Sequence, residues 1–161
     1  KIGALVGIGY GRGVVLMRIK ETPSWSRPVF FRMKGGSVGL QMGAQSADVV
    51  LLVMTGKGLE GLLEDKLTLG VDVSLASGPI GRNVSAETSL RFDAAFVSYS
   101  QSRGLFADMA LTGATMESDN EANAVYHGQG VSAQDIFFEG KGVLTEAGKT
   151  LTKTLYDASS N

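Results

Sequence analysis

Hydrophobic and polar residues alternate with a period of two along much of the first hundred residues, which is typical of β-strands. In residues 3–13 most odd positions are glycine, so this stretch is predicted to be a strand with one almost bare face that another element can approach closely. Residues 14–20 are predicted to continue as a strand, with apolar side chains on one face and basic side chains on the other.

The same alternation predicts further strands and is clearest in residues 66–77. From Leu67 to Leu75 the odd positions are apolar and the even positions are polar or small, so one face of this strand is expected to be buried. The other predicted strands are residues 29–33, 35–45 and 47–54, followed by a hairpin of residues 92–100 with 104–111.

Helix signals dominate the last third of the chain. Capping-box patterns at residues 118–121 and 132–135 each predict the start of a short helix, the first running to about His127 and ending at Gly128. Residues 145–158 have the apolar spacing of a terminal helix.

Strands come first and helices last, apart from one or two helical turns predicted at residues 59–65, and this order is typical of α+β folds. The sequence predicts one domain over residues 1–161, built on a curved, mostly antiparallel β-sheet or partial barrel. Helices are expected to pack on that sheet, the C-terminal helix among them.

Composition excludes several classes of site. The 161 residues contain no cysteine, which removes disulfides, thiolate catalysis and cysteine-based metal sites. The longest apolar run, residues 49–54, is far shorter than the roughly 18 residues that a membrane span needs. Because the chain opens at Lys1 on what reads as a strand, we expect it to be processed or trimmed.

Charge is segregated along the sequence although the net charge is only −1. Residues 1–34 carry seven Lys or Arg against one acid, and residues 104–140 carry six acids and no Lys or Arg. A basic first quarter would attract an anionic surface, at about 1 kcal/mol per cation near an acidic bilayer. The alternative is that these cations occupy solvated outward positions of strands.

The glycine-rich segment at residues 7–13 does not match the dinucleotide fingerprint, because Arg12 and Val14 stand where the last glycine is required. Nucleic-acid binding is also disfavoured. Aromatic residues such as Tyr10 and Trp25 accompany the basic first quarter, but the chain as a whole is slightly acidic.

Residues with catalytic or metal-binding chemistry each have a structural alternative. His127, the one histidine, has no serine singled out by spacing as a nucleophile, and a contact at the end of a helix explains it better. Asp48 and Asp72 are candidates for an acid–base pair, against hydrogen bonding to turn amides. The acids from Glu117 to Glu121 resemble part of a calcium loop but lack its glycine, so a helix N-terminus is favoured. We therefore expect no catalytic residues, no metal site and no cofactor.

Several sequence blocks together resemble the SYLF-domain family, over about residues 7–155. They are Gly11-Arg-Gly-Val-Val15, Trp25-Ser-Arg-Pro28, the glycine-rich run to Asp48, Leu69-Gly-Val-Asp-Val-Ser74, Gly78-Pro-Ile-Gly-Arg82, Ser98-Tyr-Ser-Gln-Ser-Arg-Gly-Leu-Phe-Ala107 and Asn123-Ala-Val-Tyr-His-Gly128. The resemblance implies binding of acidic phospholipids or phosphoinositides, and in fungal members also of actin filaments. It favours a bacterial-type member whose N-terminal segment is missing here.

The first hypothesis is therefore a non-enzymatic module that binds acidic lipid headgroups at a membrane surface. The alternative is a protein-interaction or scaffolding domain, which binds actin in eukaryotic relatives and an envelope partner in bacteria. The expected location is the periplasm or outer membrane, as a lipoprotein, or else a peripheral position on a cytoplasmic membrane. The candidate lipid-binding residues are Arg12, Arg18, Lys20, Trp25, Arg27, Arg32, Lys34 and Arg82.

Two of these residues have open structural alternatives. Trp25 is either an interfacial anchor or a core residue at the end of the sheet. Arg82 is either a rigid phosphate contact, because its planar guanidinium matches phosphate oxygens, or a structural salt bridge or carbonyl clamp.

Overall fold

A computed structural model describes residues 4–9, 11–19, 24–35, 49–64, 66–77, 94–100 and 111–159. Within these residues the fold contains eight strands and four helices. The strands are β1 (Ala4–Gly9), β2 (Arg12–Met17), β3 (Val29–Gly35), β4 (Val49–Val53), β5 (Leu67–Thr68), β6 (Leu75–Ser77), β7 (Phe96–Ser100) and β8 (Ala114–Ser118). The helices are α1 (Gly56–Leu63), α2 (Asn120–His127), α3 (Ala133–Glu139) and α4 (Glu146–Ser159).

The strands form one sheet in the order β5-β8-β3-β2-β1-β4-β7-β6. Every neighbouring pair is antiparallel except β6 and β7, which are parallel. The prediction of an α+β fold with a mostly antiparallel sheet and a C-terminal helix is confirmed.

The two edge strands of this order, β5 and β6, are separated by only six residues of chain. In a flat sheet of eight strands the edges would be roughly 34 Å apart, whereas seven Cα steps reach at most about 25 Å. The connection is also folded into a tight turn, in which the Asp72 N–H donates to the Thr68 carbonyl over 2.9 Å. The sheet must therefore curl until its two edges approach each other. This agrees with the curved sheet that the sequence predicts.

The main core fills the inside of this curl. Val15, Phe31, Leu51, Phe96 and Met116 contribute from five strands, and each is at most 3% exposed. The core is completed by residues of α1 and α3, namely Leu59, Leu62, Ile136 and Phe137. By strand alternation, the intervening residues of β2, β3 and β8 lie on the other face of the sheet.

Three details of the sequence prediction are wrong. Residues 66–77 are two short strands, because Gly70 has a positive φ of 80° and the Asp72 carboxylate accepts the Thr68 N–H at 2.8 Å, closing a turn that leaves Val71 exposed. The predicted strands in residues 3–20 pair as a hairpin of β1 (Ala4–Gly9) and β2 (Arg12–Met17), and Gly11 before β2 has a positive φ of 76°. Strand β8 was missed, since its Ala-Thr-Met-Glu-Ser sequence directly precedes a helix start.

The helix predictions are confirmed with small shifts in position. Asp119 caps α2 by accepting the Ala122 N–H, so the cap lies one residue after the predicted Ser118. Ser132 and Asp135 form the predicted reciprocal capping box of α3. The predicted strand at residues 35–45 and the second strand of the predicted hairpin, residues 104–111, lie almost wholly outside the described residues.

Candidate functional site

The edge of β3 is completed by side chains of α2 beyond the point where β8 ends. Asn123 Oδ1 accepts the Phe30 N–H at 2.7 Å and Asn123 Nδ2 donates to the Phe30 carbonyl at 3.1 Å. One turn later, His127 Nε2 lies 2.7 Å from the Pro28 carbonyl oxygen. Both side chains are buried, with 6% exposure each.

The spacing of these contacts follows from the geometry of the two elements. Residues four apart on a helix rise about 6 Å, and residues two apart on a strand rise about 6.6 Å, so α2 and β3 match in repeat. Pro28 has no N–H, which leaves only its carbonyl to satisfy. The Asn123–His127 pair therefore replaces a strand at this edge.

The other imidazole nitrogen fixes the chain that leads from α3 to α4. His127 Nδ1 accepts the Val143 N–H at 2.9 Å, so the proton of the neutral ring is on Nε2 and is donated to Pro28. Tyr126 Oη accepts the Thr145 N–H at 3.2 Å. This segment, residues 140–145, is held through its backbone. His127 therefore has a structural role, but its contacts are to the Pro28 carbonyl and the Val143 N–H rather than the predicted cap of its own helix.

Arg27 contacts the same segment, because its guanidinium donates to the Gly140 carbonyl. Its neighbour Ser26 is buried, and its hydroxyl accepts the Met17 N–H at 2.8 Å. The Trp25-Ser-Arg-Pro28 block therefore connects β2, β3 and the chain after α3. Arg27 is used as a clamp on a carbonyl in this structure, a role that the sequence analysis did not assign to it.

Trp25 and Arg18 contact the end of α4. The Trp25 indole N–H donates to Ser159 Oγ at 3.1 Å, and the Arg18 guanidinium lies 3.4 Å from the Ser159 carbonyl oxygen. Trp25 is half-buried, and its one polar group is used within the protein. Trp25 is not among the buried core residues, so the choice between an interfacial anchor and a core residue stays open.

Three of the predicted cations lie on the outer face of the curled sheet. Arg12 on β2 is directly opposite Arg32 on β3, and Arg32 is directly opposite Glu117 on β8. Glu117 Oε1 is 3.2 Å from Arg32 Nη2 and 2.8 Å from Lys34 Nζ. We call these four residues the Glu117 cluster. Arg12 is exposed and has no ion pair among the described residues.

The cluster shows how the sequence-segregated charges combine. Glu117 belongs to the acidic segment of the chain, yet it neutralises part of the basic one. Hydrogen bonding to Lys34, together with the positive charges of Lys34, Arg32 and Lys66, lowers the pKa of the Glu117 carboxyl below its ordinary value. The cluster retains a net charge of +2 on this face.

The predicted lipid-binding residues are thus distributed over three places. Arg12, Arg32 and Lys34 form the Glu117 cluster, Arg18 and Trp25 lie at the end of α4, and Arg27 lies at Gly140. Arg18 follows Arg12 by six positions, which corresponds to roughly 20 Å along a strand. Lys20 and Arg82 lie outside the described residues.

Acidic residues that the sequence offered as catalytic or metal-binding candidates make structural hydrogen bonds instead. Asp72 and Asp119 each accept a backbone N–H in a turn or helix cap. Asp48 lies outside the described residues, so its proposed pairing with Asp72 has no structural description. Among the described residues, no group of three or more His, Asp or Glu side chains is arranged to hold a metal ion.

Comparison with known proteins decides the family. A family model described as "Ysc84: Las17-binding protein actin regulator" matches residues 34–158. The chain belongs to the Ysc84 family. The resemblance to the SYLF-domain family is confirmed, whereas assignment to a bacterial-type member stays a prediction.

Curated relatives of the Ysc84 family support the match. The chain is 35% identical over 139 residues to SH3 domain-containing YSC84-like protein 1 of Bos taurus, covering 86% of this chain and 40% of that protein. The Xenopus laevis protein of the same name is 33% identical over 140 residues, covering 86% of the chain and 42% of the relative. LAS seventeen-binding protein 3 of Saccharomyces cerevisiae is 33% identical over 139 residues, with coverages of 84% and 30%. The chain thus spans less than half the length of these relatives.

The role of Asn123 and His127 was missed from sequence. Their signal was present, because a buried amide and an imidazole four residues apart lie on one face of a predicted helix. What the sequence does not supply is the strand edge that they complete, since Pro28 and Phe30 lie more than ninety residues earlier.

The contact of residues 140–145 with α2 predicts the effect of a side chain at Gly142. This residue has φ 106°, and a Cβ there would lie 2.5 Å from His127 Nδ1. Gly142→Ala should lower the free energy of unfolding by about 3 kcal/mol, from backbone strain together with displacement of the imidazole. Urea denaturation measures the loss.

Gly130→Ala is the matched control for Gly142→Ala. Gly130 also has a positive φ of 82°, but nothing lies within 4 Å of its added Cβ. It should lose only about 1 kcal/mol through strain. Equal losses in the two variants would show that the approach to His127 contributes nothing.

The lowered pKa of Glu117 predicts a pH-dependent contribution to stability. Because the folded-state pKa lies below the unfolded one, the contribution is complete above the unfolded value and is lost as the pH falls through the folded value. Urea denaturation of the wild type and of Glu117→Gln should differ at pH 7 and converge as the pH is lowered below about 4. A difference that stays constant over this range would contradict the ion-pair assignment.

Proposed function

We propose that this chain is a non-enzymatic protein-interaction domain that binds a partner in actin regulation. The observation that carries the proposal is the family match over residues 34–158, with its description as a Las17-binding actin regulator. The name of the yeast relative, LAS seventeen-binding protein 3, describes a binding protein. The acids and the histidine described above are occupied in structural hydrogen bonds, which agrees with a binding role.

Four of the seven large apolar side chains that are exposed among the described residues lie in the helical last third of the chain. Among the described large apolar residues exposed to solvent, Val125, Phe138, Val143 and Tyr156 all belong to residues 120–159. Val125 is 88% exposed on α2, and Phe138 is 59% exposed on α3. Exposed apolar residues of this kind supply binding energy when a partner covers them.

Co-sedimentation with actin filaments tests this surface. The unmodified chain should sediment with filaments, and Val125→Ser combined with Phe138→Ser should weaken binding at least about tenfold, because buried anchors dominate interface energy. Val71→Ser is the matched control, since Val71 is 74% exposed in the turn between β5 and β6. Circular dichroism checks that all variants are folded.

Two outcomes would contradict direct binding of actin through the helical surface. Failure of the unmodified chain to sediment with filaments would remove actin as its direct partner. An equal loss in the Val71→Ser control would show that binding does not use the helical surface.

Binding to acidic phospholipid or phosphoinositide headgroups is the second candidate function. The Glu117 cluster favours it, because three cations on adjacent strands face outward against one carboxylate. Arg32 and Lys34 side chains remain 39% and 63% exposed despite their ion pairs. Such a surface would suit a protein that binds a membrane peripherally. The periplasmic or outer-membrane location remains an expectation. No described helix has the length and apolar character of a membrane span.

Sedimentation with phosphatidylcholine vesicles, with and without phosphatidylserine, tests the lipid candidate. Arg12→Gln with Lys34→Gln should weaken binding to the acidic vesicles roughly thirtyfold, at about 1 kcal/mol per cation. Lys141→Gln with Lys149→Gln changes the net charge equally and alters cations that pair with Glu139 and Glu146 elsewhere. Equal loss in both double variants would mean that total charge, rather than the Glu117 cluster, drives binding.

A further inference from the structure

One carboxylate lies among the cations of the Glu117 cluster. Arg12, Arg32 and Glu117 form a row across β2, β3 and β8, because Arg12 is paired with Arg32 and Arg32 with Glu117. Neighbouring positions in such a row are about 4.8 Å apart. The Glu117 side chain is only 15% exposed, so it is more enclosed than either cation that it contacts.

Lys66 extends this row beside β5. It precedes Leu67, which pairs with Met116 of β8, so the same antiparallel register puts Lys66 level with Glu117. Leu67 is a core residue, and by strand alternation its neighbour Lys66 is on the outer face. The charge of Lys66 also contributes to lowering the pKa of the Glu117 carboxyl. Lys66 is exposed and was not among the binding residues predicted from sequence.

The positive charges around Glu117 are incompletely neutralised. Arg12 and Arg32 are directly opposite each other, and like charges in this arrangement repel. The single charge of Glu117 is set against four cations, namely Arg12, Arg32, Lys34 and Lys66, which leaves a net charge of +3. A bound anion would relieve this repulsion.

Glu117 occupies the position in which such an anion would bind. Its Oε1 is 2.8 Å from Lys34 Nζ and 3.2 Å from Arg32 Nη2, which are distances typical of charged hydrogen bonds to a carboxylate or phosphate oxygen. Because the carboxylate is tethered to the sheet, it competes at a high effective concentration. An ion of single charge would only exchange with it. An anion of several charges gains more, since Arg12 and Lys66 lie on either side.

We propose that Glu117 is an internal competitor in a site for clustered phosphate groups, formed by Arg12, Arg32, Lys34 and Lys66. Ligand phosphates displace the carboxylate from Arg32 and Lys34, and Glu117 thereby excludes ions of single charge. Phosphate groups suit the site because each carries up to about two negative charges. The proposal rests on the second candidate function for the surface that it uses, and adds to it a fourth cation and a residue that restricts the ligand.

Isothermal titration calorimetry with sodium tripolyphosphate tests the competition. Glu117→Gln keeps the size of the side chain and removes its charge. The variant should bind tripolyphosphate at least about tenfold more tightly than the unmodified chain, because Arg32 and Lys34 are then available to the ligand. Inorganic phosphate should bind the unmodified chain at least about tenfold more weakly than tripolyphosphate, because it brings too little charge to displace Glu117.

Glu146→Gln is the matched control for Glu117→Gln. It changes the net charge equally and frees Lys149 from an exposed ion pair. Its affinity should change by less than about twofold, because salt screens charges outside the site. An equal gain in the two variants would overturn the proposal, since net charge alone would explain it. Absence of tripolyphosphate binding in both the unmodified chain and Glu117→Gln would also overturn it.

Lys66→Gln tests the site without altering Glu117. Lys66 is exposed, so the variant should fold, which circular dichroism checks. It should bind tripolyphosphate about fivefold more weakly, as expected for the loss of one cation. Lys57→Gln removes an exposed lysine of α1 and should leave the affinity unchanged. Unchanged affinity in Lys66→Gln would show that the row does not form the site.

Free anion and lipid are separated by repeating the comparison with phosphatidylcholine vesicles that contain a bisphosphorylated phosphoinositide. Tighter binding of Glu117→Gln to both ligands would support the internal competitor and identify lipid headgroups as a source of the phosphates. Tighter binding to tripolyphosphate with no binding to vesicles would support the competitor and contradict the lipid candidate. Neither readout depends on actin.

Discussion

The rest of the fold depends on how the β3 edge is satisfied beyond the end of β8. At Pro28 and Phe30 the strand would expose backbone groups to a buried environment, where each unpaired group costs about 1–3 kcal/mol. Asn123 and His127 supply the missing bonds, and the second nitrogen of His127 extends the connection to Val143. One helix of eight residues thus joins the sheet to the chain that leads into α4. Its two buried polar side chains are structural because every polar atom of the imidazole is used.

The sequence predicts the fold class well and the local interruptions poorly. Alternation identifies β2, an apolar run identifies β4, and capping signals place α2 and α3 within about one residue, because these patterns act over a few neighbours. The alternation of apolar and polar residues continues through Gly70–Asp72 without a break, so it does not predict the tight turn there. β8 is short, and its buried Ala114 and Met116 acquire a strand conformation from pairing with β3, which is distant in the sequence.

The candidate site shows a similar division. The sequence identifies the basic residues as a group whose charge suits anionic partners. How they are distributed over three places in the structure depends on contacts from the other end of the chain. Glu117, Gly140 and Ser159 each engage one or two of them. Local sequence gives the charge of a residue, whereas tertiary contacts decide whether that charge faces solvent. This is why a continuous basic edge was expected and three separate positions are observed.

The short connection between β5 and β6 has a further consequence, for the size of the interior. Because the first and last strands of the sheet are consecutive in the chain, the number of residues between them sets how tightly the sheet curls. The curl in turn fixes the volume available to the side chains of α1 and α3 inside it. Residues added at Gly70–Asp72 would relax this limit on the separation of the two edges, so the length of this turn constrains the sheet although its own Val71 is on the surface.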